Sequence, residues 1–300
     1  MKEIVIISGK GGTGKTSVTA SLAALADHPV ICDCDVDAAD LHLVITPHIR
    51  ERHKFYSGHE ALIIRDNCSG CGLCYDYCRF GAVRRQPVGK GDFLFSIDPL
   101  SCEGCGVCVR FCPAVAIEFP ERFCGEWFIA DTRFGPMVHA RLGAAAENSG
   151  KLVSTVRREA RRIAEEKNIS TILVDGPPGI GCTVIASVTG ASLVLVVTEP
   201  TVSGRHDLER VLSLTRHFQI PTAVCINKWD INPDMAKSIE ENAILAGARI
   251  AGRIRYDRSV TQAQILQKAV VEIESECACD IKQIWENINL QEESNVNGRS

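Results

Sequence analysis

The 300-residue sequence carries little net charge, −4 at neutral pH. That excludes a general affinity for nucleic acid or anionic lipid resting on bulk positive charge. Long apolar runs are also missing. No stretch approaches the ~18 apolar residues that a membrane-spanning helix needs. The apolar run in the opening segment, MKEIVIISGKGG, is too short for a secretory leader. These absences lead to the expectation of a cytoplasmic protein with no membrane span and no nucleic-acid partner. At 45% hydrophobic and 23% charged residues the chain is ordinary for a globular protein and has ample material for a core.

What is abundant is cysteine, with 15 residues. In a reducing compartment clustered cysteines read as metal ligands rather than disulfides. Eight fall in two runs, NCSGCGLCYDYCRFGAV (67–83) and CEGCGVCVRFCP (102–113), which repeat C-x2-C-x2-C-x3-C at an offset of 34. With Pro113 after the second run, the pattern resembles two-cluster bacterial ferredoxins, in which three cysteines of one run and the last of the other share a cubane. That implies Cys68, Cys71, Cys74 and Cys112 around one [4Fe–4S] cluster and Cys102, Cys105, Cys108 and Cys78 around the second. Zinc is the alternative, but its structural sites pair two C-x-x-C knuckles across a longer gap. Arg79 stands where a ferredoxin has proline, so a positive charge follows Cys78. Cys32, Cys34, Cys124, Cys225, Cys277 and Cys279 read as packing.

Short apolar strands alternate with helices elsewhere. Strands are expected at 3–8, 29–35, 171–175, 192–198, 222–227 and 248–254, and helices at 15–26, 149–167, 203–218 and 233–246. Near-continuous apolar strands between helices imply an α/β fold with a mostly parallel sheet covered on both faces. From about 50 to 125 the pattern breaks into Cys-, Gly-, Arg- and Pro-rich sequence. The expected organisation is an α/β domain over 1–58 and 122–288, a ferredoxin-like insert over 59–121, and a polar, disordered tail over 289–300.

GKGGTGKT, Gly9 to Thr16, fits the phosphate-loop pattern G-x-x-x-x-G-K-[ST] between a strand and a helix. Backbone N–H groups of Gly9, Lys10, Gly11, Gly12, Thr13 and Gly14 are expected to curl around phosphates, with Lys15 on the β- and γ-phosphates, Thr16 on Mg2+, and Ser17 following. The second lysine, Lys10, makes the loop resemble that of the MinD/ParA/Mrp ATPases and the nitrogenase iron protein. The resemblance implies a nucleotide-sandwich dimer, homodimer or heterodimer with a related ATPase, in which Lys10 reaches the partner's phosphates. It also implies that Asp35 in DCDVDAADL helps place Mg2+ and the attacking water. Asp175 in ILVDGPPG would hold Mg2+ through water, Gly179 would offer its N–H to the γ-phosphate, and Asn227 in INKWD would contact the base. Asp33, Asp37 and Asp40 read as secondary, solvated carboxylates. N-K-x-D is also how many GTPases read guanine, here through Asp230, but the lysine-bearing loop belongs to ATP users. Arg255, in GRIRYD, replaces the proline of the family's I-P-Y-D and weakens a base contact by Tyr256 or Asp257.

Nearly all of residues 1–285 resembles the branch of this superfamily that carries an inserted ferredoxin domain, with GPMVHARLGAAAENSGKLV and TEPTVSGRHDLERVL among the matching stretches. Three functions follow from the resemblance. One is an ATPase coupling ATP turnover to electron transfer toward a redox or metal-cofactor-binding partner. The second is a carrier or scaffold that delivers clusters. The third is a positioning ATPase with structural clusters, and the tail offers neither the amphipathic helix nor the basic surface it would need. Eight ligands in full ferredoxin spacing describe clusters meant to stay, which favours the first. Cys182, seven residues after Asp175, reads either as an interface ligand or as a small residue heading a helix. His139, His206 and His217 stand alone and read as structural or surface residues.

Overall fold

The structure, a computed structural model, describes all residues except 37–38, 90, 144–148 and 290–300. Asp37 and the polar tail from residue 290 therefore lie outside the described residues. Two compact units make up the chain: Met1–His53, Glu126–Leu142 and Ser149–Ser300 form the first, Lys54–Gly125 and Gly143–Asn148 the second. Two of the divisions, after His53 and after Gly125, fall inside strands, a few residues outside the expected insert of 59–121.

The first unit is built on parallel strands. β1 (Lys2–Ser8), β2 (Val30–Asp33), β9 (Pro136–Leu142), β10 (Thr171–Pro178), β11 (Leu193–Thr198), β12 (Thr222–Asn227) and β13 (Arg249–Ile254) lie in the order β13-β12-β11-β1-β10-β2-β9. β8 (Glu121–Asp131) and β3 (His48–His59) complete the edge. Parallel pairing is registered throughout the centre, with Ile6 opposite Asp175, and Asp175 opposite Asp33. Ile4, Ile6, Leu22, Leu173, Leu195 and Ile281 pack one face, where α1 (Lys15–Leu25) and α10 (Glu276–Asn289) lie. On the other side α5 (Ser149–Glu166) is anchored by a buried ion pair: Arg157 Nε donates to Glu3 at 2.7 Å and Arg161 Nε at 2.8 Å. α7 (Val202–His217) starts where Thr201 accepts the Gly204 N–H, and α8 (Pro233–Leu245) where Asn232 caps Met235 with proline in the first turn. The expected strands and helices are all present.

Three strands of this sheet, β3, β8 and β9, have no counterpart among the expected elements. β9 carries a histidine among its apolar residues, and β3, HIRERHKFYSGH, is mostly exposed and heavily charged. Charge on an edge strand suits its position, because it discourages pairing with another chain. No described helix is long and apolar enough to cross a membrane.

The second unit has two small antiparallel sheets: β4 (Leu62–Ile63) with β7 (Ile117–Glu118), and β5 (Val83–Pro87) with β6 (Phe93–Ile97). Two short helices, α3 (Leu73–Tyr77) and α4 (Val107–Arg110), follow Gly72 and Gly106, each in the left-handed region. The halves repeat as the cysteine spacing repeats.

His139 is buried on β9 opposite Asp33; its ring stacks on Phe128 at 4.9 Å, and Nε2 meets no hydrogen-bond partner. Burial, then nearby His42, push its pKa down from 6.5 to about 4. The unfolded imidazole takes up a proton near its ordinary pKa while the folded one refuses it, so stability is lost as pH falls through that window. Denaturant unfolding at pH 7 and pH 5 should show wild type losing about 2 kcal/mol more than His139→Gln. Equal losses would mean that His139 protonates freely in the fold.

Candidate functional site

Parallel strands all end on one edge of the sheet, and that is where ligands of open α/β sheets bind. The loop from Gly9 to Thr16 leaves β1 there and enters α1. Gly14 begins the helix at φ 88, and a Cβ on it would stand 2.4 Å from the amide nitrogen of Asn227, so only glycine fits. Gly9 is held closely too: a Cβ there would lie 2.4 Å from the Asp207 Cβ on α7. Around the loop opens a cavity of about 540 Å3, lined by Ser8, Gly11 to Ser17, Asp35, Asp40, Leu43, Val44, Pro178 and Gln264. That lies within the range for a cofactor-sized ligand.

At its floor Lys15 is nearly buried. Its ammonium lies 2.9 Å from Asp175 Oδ1 and 3.4 Å from Asp35 Oδ2. Asp175 also accepts from Thr16 Oγ1 at 2.9 Å and Thr19 Oγ1 at 2.8 Å. Burial works against the lysine's charge, but Asp175, Asp35 and Asp33 together outweigh it and raise its pKa. Asp33 is buried rather than solvated as expected. Burial, then the Asp175 charge, hold its carboxyl well above the usual range, and its Oδ2 meets no partner. Asp40 lines the cavity. The set suits a magnesium-bound polyphosphate: a fixed ammonium, amides in a loop, a threonine hydroxyl beside a carboxylate, and a second carboxylate at the cavity wall.

Three expected contacts are occupied otherwise. The Gly179 N–H donates to the Ser8 carbonyl at 2.8 Å instead of facing the cavity. Asn227 Nδ2 donates to the Thr13 carbonyl at 2.7 Å and Oδ1 accepts the Lys228 N–H at 3.0 Å, so its amide braces the phosphate loop. Lys10 is turned onto Glu199 of its own chain, at 2.7 Å. A second cavity of about 250 Å3 adjoins the loop, lined among others by Gly12, Asn227, Arg255, Tyr256 and Asp257. Arg255, the residue in the proline position, is fixed by a bidentate pair with Asp280, 2.8 and 2.9 Å, and by Glu276.

Residues 4–270 match the family of CobQ/CobB/MinD/ParA nucleotide-binding domains. The chain belongs to this family. It is a P-loop ATPase. A relative in Methanocaldococcus jannaschii, uncharacterized protein MJ0578, is 35% identical over 233 residues, covering 77% of this chain and 79% of its own. The fold is that of the Pyrococcus furiosus cell-division ATPase MinD, with TM-score 0.57, 18% identity, and 96% of this chain and 98% of that one covered. It is similar also to MinD of Pyrococcus horikoshii complexed with Mg-ADP, with TM-score 0.57, 17% identity and 96% of each chain covered.

In the second unit of this CobQ/CobB/MinD/ParA-family chain the eight clustered cysteines stand around two small hollows. Cys68, Cys71, Cys74 and Cys112 line one, with Ile63, Phe95 and Ile117. Cys78, Cys102, Cys105 and Cys108 line the other, with Tyr77, Phe80, Val83, Ile97 and Glu103. Among the described residues no three His, Cys, Asp or Glu side chains converge as one metal ion would require. Backbone amides face the sulfurs. Ala116 N–H donates to Cys112 Sγ at 3.3 Å, and the N–H groups of Val83, Phe80, Ala82 and Gly81 outweigh partial burial to hold the Cys78 thiol below its ordinary range. Burial pushes Cys74 up to about 11, against the Tyr75 N–H, with Cys68, Cys108 and Cys71 adding to it. Gly104, at φ +61, brings its backbone so near the His59 carbonyl that a Cβ would stand 2.3 Å away. Cys182 is exposed at the head of α6 (Cys182–Val188), while Cys277 is buried and Cys279 exposed on α10.

The aspartate of N-K-x-D is also engaged within the chain. Reading guanine takes both oxygens of the N-K-x-D aspartate, which accept from N1–H and the 2-amino group. Here Asp230 Oδ1 accepts the Tyr256 N–H at 2.7 Å, and Asp230 does not line the second cavity. In parallel titrations with Mg2+, ATP should bind at least about ten-fold more tightly than GTP. Equal affinities would mean that Asp230 leaves Tyr256 to read the base.

Proposed function

We propose that this chain is a dimeric ATPase that couples ATP binding and hydrolysis to electron transfer, through two [4Fe–4S] clusters, toward a redox or metal-cofactor-binding partner protein. The observation that carries the reading is the composition of the two hollows. Each is lined by the quartet that ferredoxin spacing implies, three cysteines of one run and the last of the other. A chance cluster of thiols has no reason to interleave in this way.

The chemistry of the donors fits. Crowded, partly buried thiols resist deprotonation until a metal compensates the charge, which is the situation of Cys74 and Cys108. Amides aimed at sulfur favour the thiolate and, in a cluster, the more reduced state. When bound, the clusters supply one-electron transfer, and the eight cysteines hold them. The residues of the first unit do the rest. Lys15 and the loop amides bind the phosphates, Thr16 and Asp175 hold Mg2+, and Asp35 orients water. Lys10 closes a second copy over the nucleotide. Driving a conformational equilibrium from 1:99 to 99:1 asks ATP for a preference of ~10^4-fold, ~5.5 kcal/mol. Several charged contacts made at once across a dimer are of that order.

Protein purified without oxygen should contain about eight iron and eight sulfide per chain and show cluster signals by EPR on reduction. Redox titration with and without ATP should then give different potentials or electron-transfer rates in wild type and identical ones in Lys15→Ala. A colourless protein holding zinc or nothing would end the iron–sulfur reading. Clusters indifferent to nucleotide in wild type would end the coupling.

A further inference from the structure

Lys10 is engaged entirely within its own chain. Its ammonium lies 2.7 Å from Glu199 Oε1, 3.1 Å from Ser203 Oγ and 3.5 Å from Thr201 Oγ1. It does not line the phosphate cavity. All three partners sit on one short segment between β11 and the first turn of α7. That segment is braced by its own hydrogen bonds. The Thr201 N–H donates to the Glu199 carbonyl at 2.8 Å, Thr201 caps the Gly204 N–H at 3.0 Å, and Pro200 stands between. Gly204 packs so closely that a Cβ would lie 2.4 Å from the Glu199 carbonyl oxygen. The receiving site for Lys10 is built, not improvised by a mobile surface chain.

Glu199 has a second cation. Lys228, following Asn227 at the end of β12, lies 3.3 Å from Glu199 Oε2. The carboxylate is only 17% exposed, and although burial opposes its charge, the two lysines hold its pKa below the ordinary range. Taking a cation from a half-buried carboxylate is costly when it leaves a bare charge, and far less so when another stays. Lys228 is that second cation.

We propose that Glu199 is a positioning residue that stores Lys10 in the single chain, and that Lys228 stays to neutralise Glu199 when Lys10 leaves for the phosphates bound by a second copy. This rests on the reading that Lys10 acts across a dimer, and it adds what sets the threshold. Dimerisation with ATP competes with the Glu199 contact. Weakening that contact favours the dimer, and removing Lys228 disfavours it.

The test is sedimentation of the full chain with ATP and Mg2+ over a range of protein concentrations, with ATPase activity read on the same samples. Glu199→Gln should lower the concentration for half-dimerisation by about ten-fold, and Lys228→Ala should raise it, with turnover at saturating protein much less affected. Glu199→Asp, which keeps the charge, should move back toward wild type. In a Lys10→Ala background the Glu199→Gln change should have no effect. If wild type dimerises with ATP but Glu199→Gln leaves the threshold unchanged, or raises it, the storage role is overturned while the dimer stands. If wild type does not dimerise at all, the dimer and the storage role fall together. A structural role alone would not give opposite signs at Glu199 and Lys228.

Discussion

An ammonium ion buried among carboxylates is the constraint on which the nucleotide site rests. Lys15 has Asp175 and Asp35 within ion-pair distance, and Asp33 adds a third carboxyl on the neighbouring strand. The register explains the crowding: Asp175 and Asp33 are paired positions on adjacent parallel strands, so both project to the same face. Two such charges side by side cannot both be cheap, and burial together with Asp175 drives Asp33 toward its protonated form. Lys15 is the counter-charge that meets Asp175, at 2.9 Å. In the function proposed above, Lys15 would turn to the phosphates, and Asp175 and the Thr16 hydroxyl would be left to hold Mg2+.

A similar economy holds at the loop's other lysine. Lys10 and Lys228 share Glu199 as Lys15 is shared by its carboxylates. In both places a lysine is held by a carboxylate that has a second partner. The strand ends carrying these groups, β1, β2, β10, β11 and β12, all lie on one edge because the strands are parallel. Nothing but the topology is needed to bring residues 10, 35, 175, 199 and 228 into one neighbourhood.

Much of this is legible in sequence, for identifiable reasons. The phosphate loop, the central strands and their helices follow from glycine spacing and apolar runs, because backbone conformation and burial write directly into those patterns. Contacts between distant polar groups do not. Asp33 looks like one more solvated carboxylate in DCDVDAADL, and only the pairing of β2 with β10 shows it buried. Gly179 and Asn227 sit where the family resemblance expects them, yet their donors go to the Ser8 and Thr13 carbonyls. Glu199 drew no attention in TEPTVSG, since an acidic residue in a loop has no spacing signature. β3 was hidden by its charges, which an exposed edge strand requires. β9 was hidden by a histidine in the middle of a buried strand.

The chain's path gives the coupling proposed above a covalent route. β2 ends at Asp33, and Asp35 follows within two residues. From there the chain passes through α2 (Leu41–Ile45) and β3 into the unit that begins at Lys54. It returns through β8 and β9, and β9 pairs with β2 so that His139 lies opposite Asp33. The passage toward the cysteine-rich unit thus starts just beyond β2, and one return leads through β8 into β9, the strand that pairs with β2. In the function proposed above, a shift at Asp35 when phosphate is bound or lost would act on the same stretch of chain that leads to Lys54. Coupling over such a path requires the strands to have two discrete positions.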